Sequence, residues 1–354
     1  MAPHNNSSEQ LNPIQSNLAS DYVNVVVDAM GGDDAPEVVL QGARQLLAST
    51  NPKDTCIKLT LVGAAEALET LKKDFPNRVD TVATTEVIEM TEHPGVAVKQ
   101  KKDSSIVVGC RLIKEGKGDA FFSAGSTGGA MTAATLIIGR IKGIKRPAIA
   151  AVVPAPKGQV LLLDAGANAD VEAEYLLQFA TMGEIFAQKV MNIPNPRVGL
   201  LNVGEEDTKG SQMAQEAYAL IKENVRGFVG NAEGSDIFNG SYDVITTDGF
   251  TGNIVLKTME GLVSGIFDEL KNIFYASTKN KLAASVIKGD LKVLKDQLDI
   301  EIIGGAPLLG RTAPVVIAHG SSSAFAIANG IRATALAAEQ HLPELIATAI
   351  ADKV

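Results

Sequence analysis

The sequence predicts a two-lobed α/β/α fold built on a mostly parallel sheet, and three observations carry that expectation. From Tyr22 onward, β-branched runs of strand length alternate with amphipathic segments of helix length, the pattern of buried parallel strands joined by crossover helices. Nearly every such run ends in a loop of small or polar residues. The chain is 354 residues long, 45% hydrophobic and 21% charged, so it is long enough for a substantial core and too apolar for wholesale disorder.

The elements follow in order. Residues 1–20 are rich in Asn, Ser and Gln, so they are expected to form a disordered extension outside the fold. Val23–Val27 reads as the first strand. Its turn, Asp28-Ala-Met-Gly-Gly-Asp-Asp-Ala-Pro36, supplies glycine for a tight path and Pro36 for the first turn of a helix over Glu37–Leu47. Further strands are expected at Ile57–Val62, Ala120–Ser123, Ala148–Val153, Val160–Asp164, Val198–Val203 and Val244–Thr247. No low-complexity linker interrupts residues 21–354, so the lobes are expected to be discontinuous in sequence.

Composition excludes several function classes. Lys and Arg number 32 against 41 Asp and Glu, a formal charge of −9, which disfavours nucleic-acid binding through a global positive field. Cys56 and Cys110 are too few for a disulfide framework or a thiolate metal centre. The four histidines, at positions 4, 93, 319 and 341, form no metal-binding pair, and no carboxylate cluster has a calcium-loop spacing, so neither a metal nor a cofactor is expected. No apolar run reaches transmembrane length and the N-terminus lacks a signal-peptide centre, which points to a cytoplasmic protein. The Asn-Xaa-Ser matches near Asn6 and at Asn239 would matter only in a secreted chain.

In open parallel sheets, ligands lie beyond the carboxyl ends of the strands. The richest such loop is Phe121-Phe-Ser-Ala-Gly-Ser-Thr-Gly-Gly-Ala130, followed by a helix-like run over Met131–Ile138. Gly125, Gly128 and Gly129 allow close backbone approach, Ser126 and Thr127 carry hydroxyls, and a helix start offers unpaired N–H groups to an anion. The loop fits neither common nucleotide fingerprint, so it reads as a phosphate cradle or as a glycine-rich strand-to-helix turn. Leu163-Asp-Ala-Gly-Ala-Asn168 and Thr247-Asp-Gly-Phe-Thr-Gly-Asn253 place Asp164, Asn168, Asp248 and Asn253 on turns, either as site groups or as helix caps. His93, in Thr91-Glu-His-Pro-Gly95, lies near Lys99, Lys101 and Lys102, cations that could stabilise phosphate. His319, between an apolar strand and a Gly-Ser turn, could trade protons or steady an oxyanion, or serve only a structural role.

Taken in order, Val27-Asp-Ala-Met-Gly-Gly-Asp33, Glu92-His-Pro-Gly95, Ser123-Ala-Gly-Ser-Thr-Gly-Gly129, Leu163-Asp-Ala-Gly-Ala-Asn168, Asn202-Val-Gly-Glu-Glu-Asp-Thr-Lys-Gly210, Thr247-Asp-Gly-Phe-Thr-Gly-Asn253 and His319-Gly-Ser-Ser322 closely resemble the bacterial phosphate acyltransferase (PlsX) family of phospholipid synthesis. The likeness spans about residues 22–340. It implies reversible transfer of a fatty acyl group from acyl carrier protein to inorganic phosphate. The acyl phosphate would feed a membrane glycerol-3-phosphate acyltransferase. It also implies a homodimer, with a helical protrusion near residues 260–298 by the dimer interface, and a fold similar to phosphotransacetylase and the isopropylmalate dehydrogenase group, with the site in a cleft between two lobes.

Within that resemblance, phosphate holding falls to Gly125, Ser126, Thr127, Gly128 and Gly129, helped by Lys99 or Lys209. His319 is the candidate for stabilising the oxyanion or protonating the departing thiolate. Asp248 and Asn253 are candidates for orienting the pantetheine arm, and Asp28, His93, Asp164 and Asn168 complete the site loops. Gly304-Gly-Ala-Pro-Leu-Leu-Gly310 also resembles the family, whereas Arg311-Thr-Ala313 departs from its glycine-containing continuation. Arg140, Lys142, Lys145 and Arg146 form a candidate landing patch for the acidic carrier protein.

Leu262, Ile266, Leu270, Ile273 and Phe274 fall near helical spacing, followed by Lys279, Lys281, Leu282, Val286, Ile287 and Lys288. This stripe fits a partner subunit or peripheral contact with an anionic membrane. Three rival functions stand beside the main expectation: a short-chain phosphotransacetylase using coenzyme A, a nicotinamide-dependent dehydrogenase disfavoured by the missing fingerprint, and a noncatalytic lipid- or carrier-binding protein.

Overall fold

The computed structural model describes residues 22–155, 158–298 and 303–352; the predicted extension over residues 1–20 lies outside them. Among the described residues there are eleven strands: β1 (Val23–Asp28), β2 (Ile57–Gly63), β3 (Val79–Ala83), β4 (Ala120–Ser123), β5 (Ala148–Ala155), β6 (Gly158–Leu163), β7 (Val198–Leu201), β8 (Phe228–Ala232), β9 (Val244–Thr246), β10 (Ala306–Leu309) and β11 (Val315–Ile317). The α-helices are α1 (Glu37–Leu47), α2 (Pro52–Thr55), α3 (Ala65–Asp74), α4 (Pro94–Gln100), α5 (Ser105–Lys114), α6 (Thr127–Ala133), α7 (Ala173–Lys189), α8 (Gln212–Asn224), α9 (Asp236–Asn239), α10 (Gly249–Tyr275), α11 (Thr278–Gln297), α12 (Ala324–Glu339) and α13 (Leu342–Ala351).

All strands join one sheet in the order β3-β2-β1-β4-β11-β10-β5-β6-β9-β7-β8. Period-2 alternation sends Val25 and Val27 of β1 into one apolar cluster and Val26 into another. Leu161 and Leu163 of β6 separate in the same way from Val160 and Leu162. Helices therefore cover both faces, as a sheet without a wet side requires. Each fully buried Val or Leu contributes about 1.5–3 kcal/mol, which is why the strand runs dominate the fold.

The sheet's middle positions the site. β3-β2-β1-β4-β11 are mutually parallel, and so are β6-β9-β7-β8. Between them, β10 runs antiparallel to both β11 and β5, and β5 antiparallel to β6. Along β10, Ala306 pairs with Ile317 at the carboxyl end of β11, and Leu308 pairs with Ile149 at the start of β5. Next to Ile149, Ala150 pairs with Leu163, the last residue of β6. Two oppositely directed parallel halves thus meet head-on, and their carboxyl ends face one another.

Several predicted elements shift in detail. Pro36 caps α1 instead of entering its first turn. The helix expected from Met131 starts four residues earlier, at Thr127, because Ser126 supplies a side-chain cap; its last five residues, Ala134–Ile138, widen into a π turn. β6 stops before Asp164, whose carboxylate gathers the following turn. β7 stops at Leu201 because the Val203 N–H donates to Asn202 Oδ1, closing a local turn. α10 and α11 meet across Ala276 and Ser277, and almost all their residues are exposed or half-buried. Among the described residues, no helix is long and apolar enough to cross a membrane.

Candidate active site

On the first carboxyl edge, three loops interlock. Ser126, after β4, accepts the Gly129 N–H at 3.2 Å and so caps α6. The first-turn N–H groups of Thr127 and Gly128 have no intrahelical acceptor, as at any helix start. The loop after β1 lies against this turn: a Cβ on Gly31 would fall 2.5 Å from the Gly125 nitrogen. Only glycine permits that approach. Asp33 in the same loop donates its N–H to the Gly320 carbonyl at 2.8 Å, which draws in the loop after β11. The start of α4 packs on the other side, where a Cβ on Gly128 would fall 2.5 Å from Pro94 Cγ.

The second edge pairs the turns after β6 and β9. Asp164 is fully buried, and its oxygens accept from the N–H groups of Ile149, Gly166, Ala167 and Asn168 and from Asn168 Nδ2, at 2.8–3.2 Å. Gly249 donates its N–H to the Asn168 carbonyl at 2.7 Å, so the start of α10 is tied to this turn. Asp248 caps α10: Oδ1 accepts the Thr251 N–H at 2.8 Å and Oδ2 the Thr251 hydroxyl at 2.7 Å.

Between the edges lies a cavity of about 770 Å³, within the range of small-molecule sites. Thr127, Ala165, Asn253, His319 and the Gly304–Gly305 turn all line it, so five separate sequence motifs share one space. Leu256, Met259, Val263 and Phe267 extend it along α10. From Asn253 to Phe267 the helix rises about 21 Å. These apolar residues alternate with Lys257, Glu260, Ser264 and Asp268, so the wall is an apolar strip with polar flanks along its length.

His319 sits at the loop end of the cavity. The Ser321 backbone N–H donates to its Nδ1 at 3.3 Å, and the Ser321 hydroxyl lies 2.8 Å from the same atom. In the neutral ring an accepting Nδ1 puts the proton on Nε2, which makes that nitrogen a donor. The two buried strand-end carboxylates differ from the rest of the site: burial, as the largest influence, pushes Asp28 and Asp164 above the ordinary carboxylate range against their hydrogen-bond donors.

Other predicted residues occupy different places. Lys99 is exposed on α4, and Lys209 is within 4.0 Å of Glu206 in the loop after β7; neither is among the cavity's lining residues. His93 precedes α4 at its cap position, with no side-chain cap bond. In the basic patch, Lys145 pairs with Glu174 at 3.6 Å and Arg146 lies over the Tyr175 ring. Arg140 donates to the Lys145 carbonyl, and Lys142 is exposed. Leu262, Ile266 and Ile273 are exposed, while Leu270 and Phe274 are half-buried.

Sequence reasoning missed the α10 wall, whose centre lies about 50° around the helix from that of the predicted stripe, Leu270 and Phe274 sharing its face; the 3- and 4-residue spacing of Leu256, Met259, Val263 and Phe267 was the signal. It also missed Arg311. This side chain is 2% exposed, donates from Nη2 to Thr135 Oγ1 at 2.7 Å, and leaves Nε and Nη1 without partners. Burial, with Arg140 nearby, pushes its guanidinium down to about 10.

A family model described as "Fatty acid synthesis protein" matches residues 23–345. The phosphate acyltransferase of Halothermothrix orenii is 48% identical over 313 residues, covering 87% of this chain and 92% of its own. That of Heliobacterium modesticaldum is 46% identical over 338 residues, covering 93% and 98%. Among solved structures, a phosphotransacetylase from Streptococcus pyogenes superposes with a TM-score of 0.61 at 18% identity, covering 90% of this chain and 94% of its own. The EutD phosphotransacetylase from Staphylococcus aureus gives 0.59 at 17%, covering 91% and 96%. These structures share the fold; the sequence relatives also share nearly half of the aligned residues. The chain belongs to the phosphate acyltransferase family of fatty acid synthesis proteins and is an acyltransferase enzyme.

Proposed function

We propose that this acyltransferase moves a long-chain acyl group from acyl carrier protein to inorganic phosphate, releasing acyl phosphate for phospholipid synthesis. The observation that carries this reading is the cavity joining the Thr127 helix start to an apolar strip, Leu256 to Phe267, that rises about 16.5 Å along α10. That wall exceeds the roughly 15 Å occupied by acyl tails in one bilayer leaflet.

The chemistry needs little covalent help. Phosphate is already nucleophilic, so the protein must hold it against the thioester and stabilise the tetrahedral oxyanion. Thr127 and Gly128 N–H groups grip phosphate at the positive end of the α6 dipole. A phosphate oxygen bonds to the carbonyl carbon, and the carbon–sulfur bond then breaks. The proton carried by hydrogen phosphate ends on the departing thiol, so acyl thioester and phosphate become acyl phosphate and free carrier. Nε2 of His319 donates a hydrogen bond to the oxyanion, or passes its proton to the thiolate while Nδ1 takes up the one released from hydrogen phosphate. Asn253, at the base of α10, orients the pantetheine amides.

The exposed face of α10 and α11 serves a second subunit or a membrane surface, placing product near the next acyltransferase. Flotation with anionic liposomes separates these roles: loss of binding in a dimeric Leu270→Asp, Phe274→Asp variant supports the membrane, and unchanged flotation removes it.

Phosphate-dependent release of free carrier protein from palmitoyl carrier protein is the decisive assay for the reaction. No release would overturn the enzymatic reading in favour of a passive lipid or carrier binder. Equal turnover with short-chain acyl coenzyme A would favour the phosphotransacetylase alternative.

A further inference from the structure

Asp28 ends β1 with no exposed surface, and the reaction outlined above gives it no task. Its Oδ2 accepts the Ser123 hydroxyl at 2.7 Å, and that hydroxyl oxygen in turn accepts the Gly125 N–H at 3.0 Å. Its Oδ1 accepts the Met30 N–H at 3.1 Å, and the Ser105 hydroxyl adds a further bond. The carboxylate therefore reaches the turn that launches α6 through a single hydroxyl relay.

The space around the relay is built for it. A Cβ on Gly31 would lie 2.6 Å from Asp28 Oδ2 and 2.5 Å from the Gly125 nitrogen, so backbone and carboxylate touch with nothing between. Behind the turn is a small cavity of about 30 Å³, lined among others by Asp28, Ser105, Gly125 and Ser126. It is polar and has room for about one water. Ser123 has one proton. As long as Asp28 takes that proton, the hydroxyl's lone pair is aimed at Gly125.

We propose that Asp28 is a positioning residue for phosphate: by setting the Ser123 hydroxyl, it fixes the Gly125–Ser126 turn and so aims the Thr127 and Gly128 N–H groups. This rests on the reading that phosphate binds at that helix start. Preorganised donors lose effect when displaced by about 1 Å, at a cost on the order of 10²-fold. Asp28 touches neither substrate nor reacting atoms, and its influence passes entirely through Ser123.

The test is steady-state kinetics on Asp28→Asn, Ser123→Ala and the double variant, with orthophosphate and palmitoyl carrier protein varied separately. Asparagine offers one acceptor oxygen where the carboxylate offers two, so either Ser123 or Met30 loses its partner. Expected is a rise of about 10-fold or more in the KM for phosphate, with the KM for palmitoyl carrier protein within about twofold of wild type. The double variant should be no worse than the poorer single one, because both substitutions cut the same relay. Parallel loss in both KM values, or multiplying effects in the double variant, would reduce Asp28 to a structural role. Should Asp28→Asn not fold, Ser123→Ala decides alone, since it removes only a hydroxyl; an unchanged phosphate KM there overturns the proposal. Wild-type turnover without phosphate dependence would remove the site reading and the proposal together, whereas wild-type dependence with unaltered variants removes only the positioning role.

Discussion

Asp28 and Asp164 occupy equivalent places in the two halves of the sheet, each at or just after the carboxyl end of a buried strand, and each is fully buried. Their donors differ. Asp164 is held by four backbone N–H groups and one side-chain amide. Amides donate and cannot reverse, so Asp164 is locked as the centre of a turn. Asp28 is held by one amide and two hydroxyls, and a hydroxyl can turn its proton either way. Identical residues at matching positions thus do different work: one welds a loop shut and the other sets the aim of its neighbour. The same division runs through the site, with the second half's Asp248 spent on capping α10 and the first half's His319 bordering the cavity.

The largest expected effect breaks the weld. Asp164→Ala leaves five N–H donors facing no acceptor, at about 1–3 kcal/mol for each that water cannot reach. Summed over the donors this reaches the order of typical domain stability, so soluble yield and near-ultraviolet circular dichroism should show mostly unfolded protein. A folded Asp164→Ala variant with wild-type turnover would erase the distinction between the two carboxylates.

His319→Ala tests the opposite half. Its kcat should fall roughly 10²-fold, the lower end of what a positioned proton donor supplies, while its melting temperature stays near wild type because the side chain is exposed. Undiminished turnover would end the assignment.

Arg311 sits on the seam, bridged to Arg140 by the backbone beside β10. With two unpartnered nitrogens in an apolar setting, it costs stability. Arg311→Leu should raise the melting temperature by about 2 °C or more, since removing a buried, poorly compensated charge is worth about 1–4 kcal/mol. A drop on calorimetry would mean that the guanidinium has an acceptor.

The smallest effect is a pH trend. Burial raises the folded-state pKa of Asp28, so the native state binds its proton more tightly than the unfolded chain does. That contribution is complete below the ordinary carboxylate range and is lost as pH rises through the raised folded value. The amide of an Asp28→Asn variant does not titrate. The melting temperature of that variant relative to wild type should therefore climb from about pH 4 to about pH 7, whatever its constant offset. A flat difference would place Asp28 in the ordinary range.

Much of the fold was legible because buried strands advertise themselves: Ala120–Ser123 and Glu37–Leu47 fall where their patterns put them. β3 and β8 escaped because edge strands alternate less cleanly; Asp80, Thr81 and Ala83 of β3 are exposed. β10 escaped as well, because its four residues lie between glycines in a stretch that reads as a loop, and β5 carries the same apolar run as a parallel strand, so its direction could not be read. Of the site, the loop motifs stood out through their glycines, but their convergence depends on β10. The Asp28–Ser123 relay joins residues 95 apart, and a hydroxyl bond across that separation leaves no periodic trace. Arg311 was visible as a departure in the chain, yet nothing in its neighbours announced that it would be buried.

One short strand acts as the gauge of the gap between the two loop edges. Ala306 and Leu308, two residues apart on β10, meet the ends of opposite halves. Each residue added there would slide the halves apart by about 3.4 Å. A two-residue insertion would keep every side chain on its own face yet part the two loop edges by about 7 Å, too far for the proposed phosphate and acyl groups to meet. The length of this one strand therefore sets how far apart the two loop edges stand, whatever the loops and helices around it do.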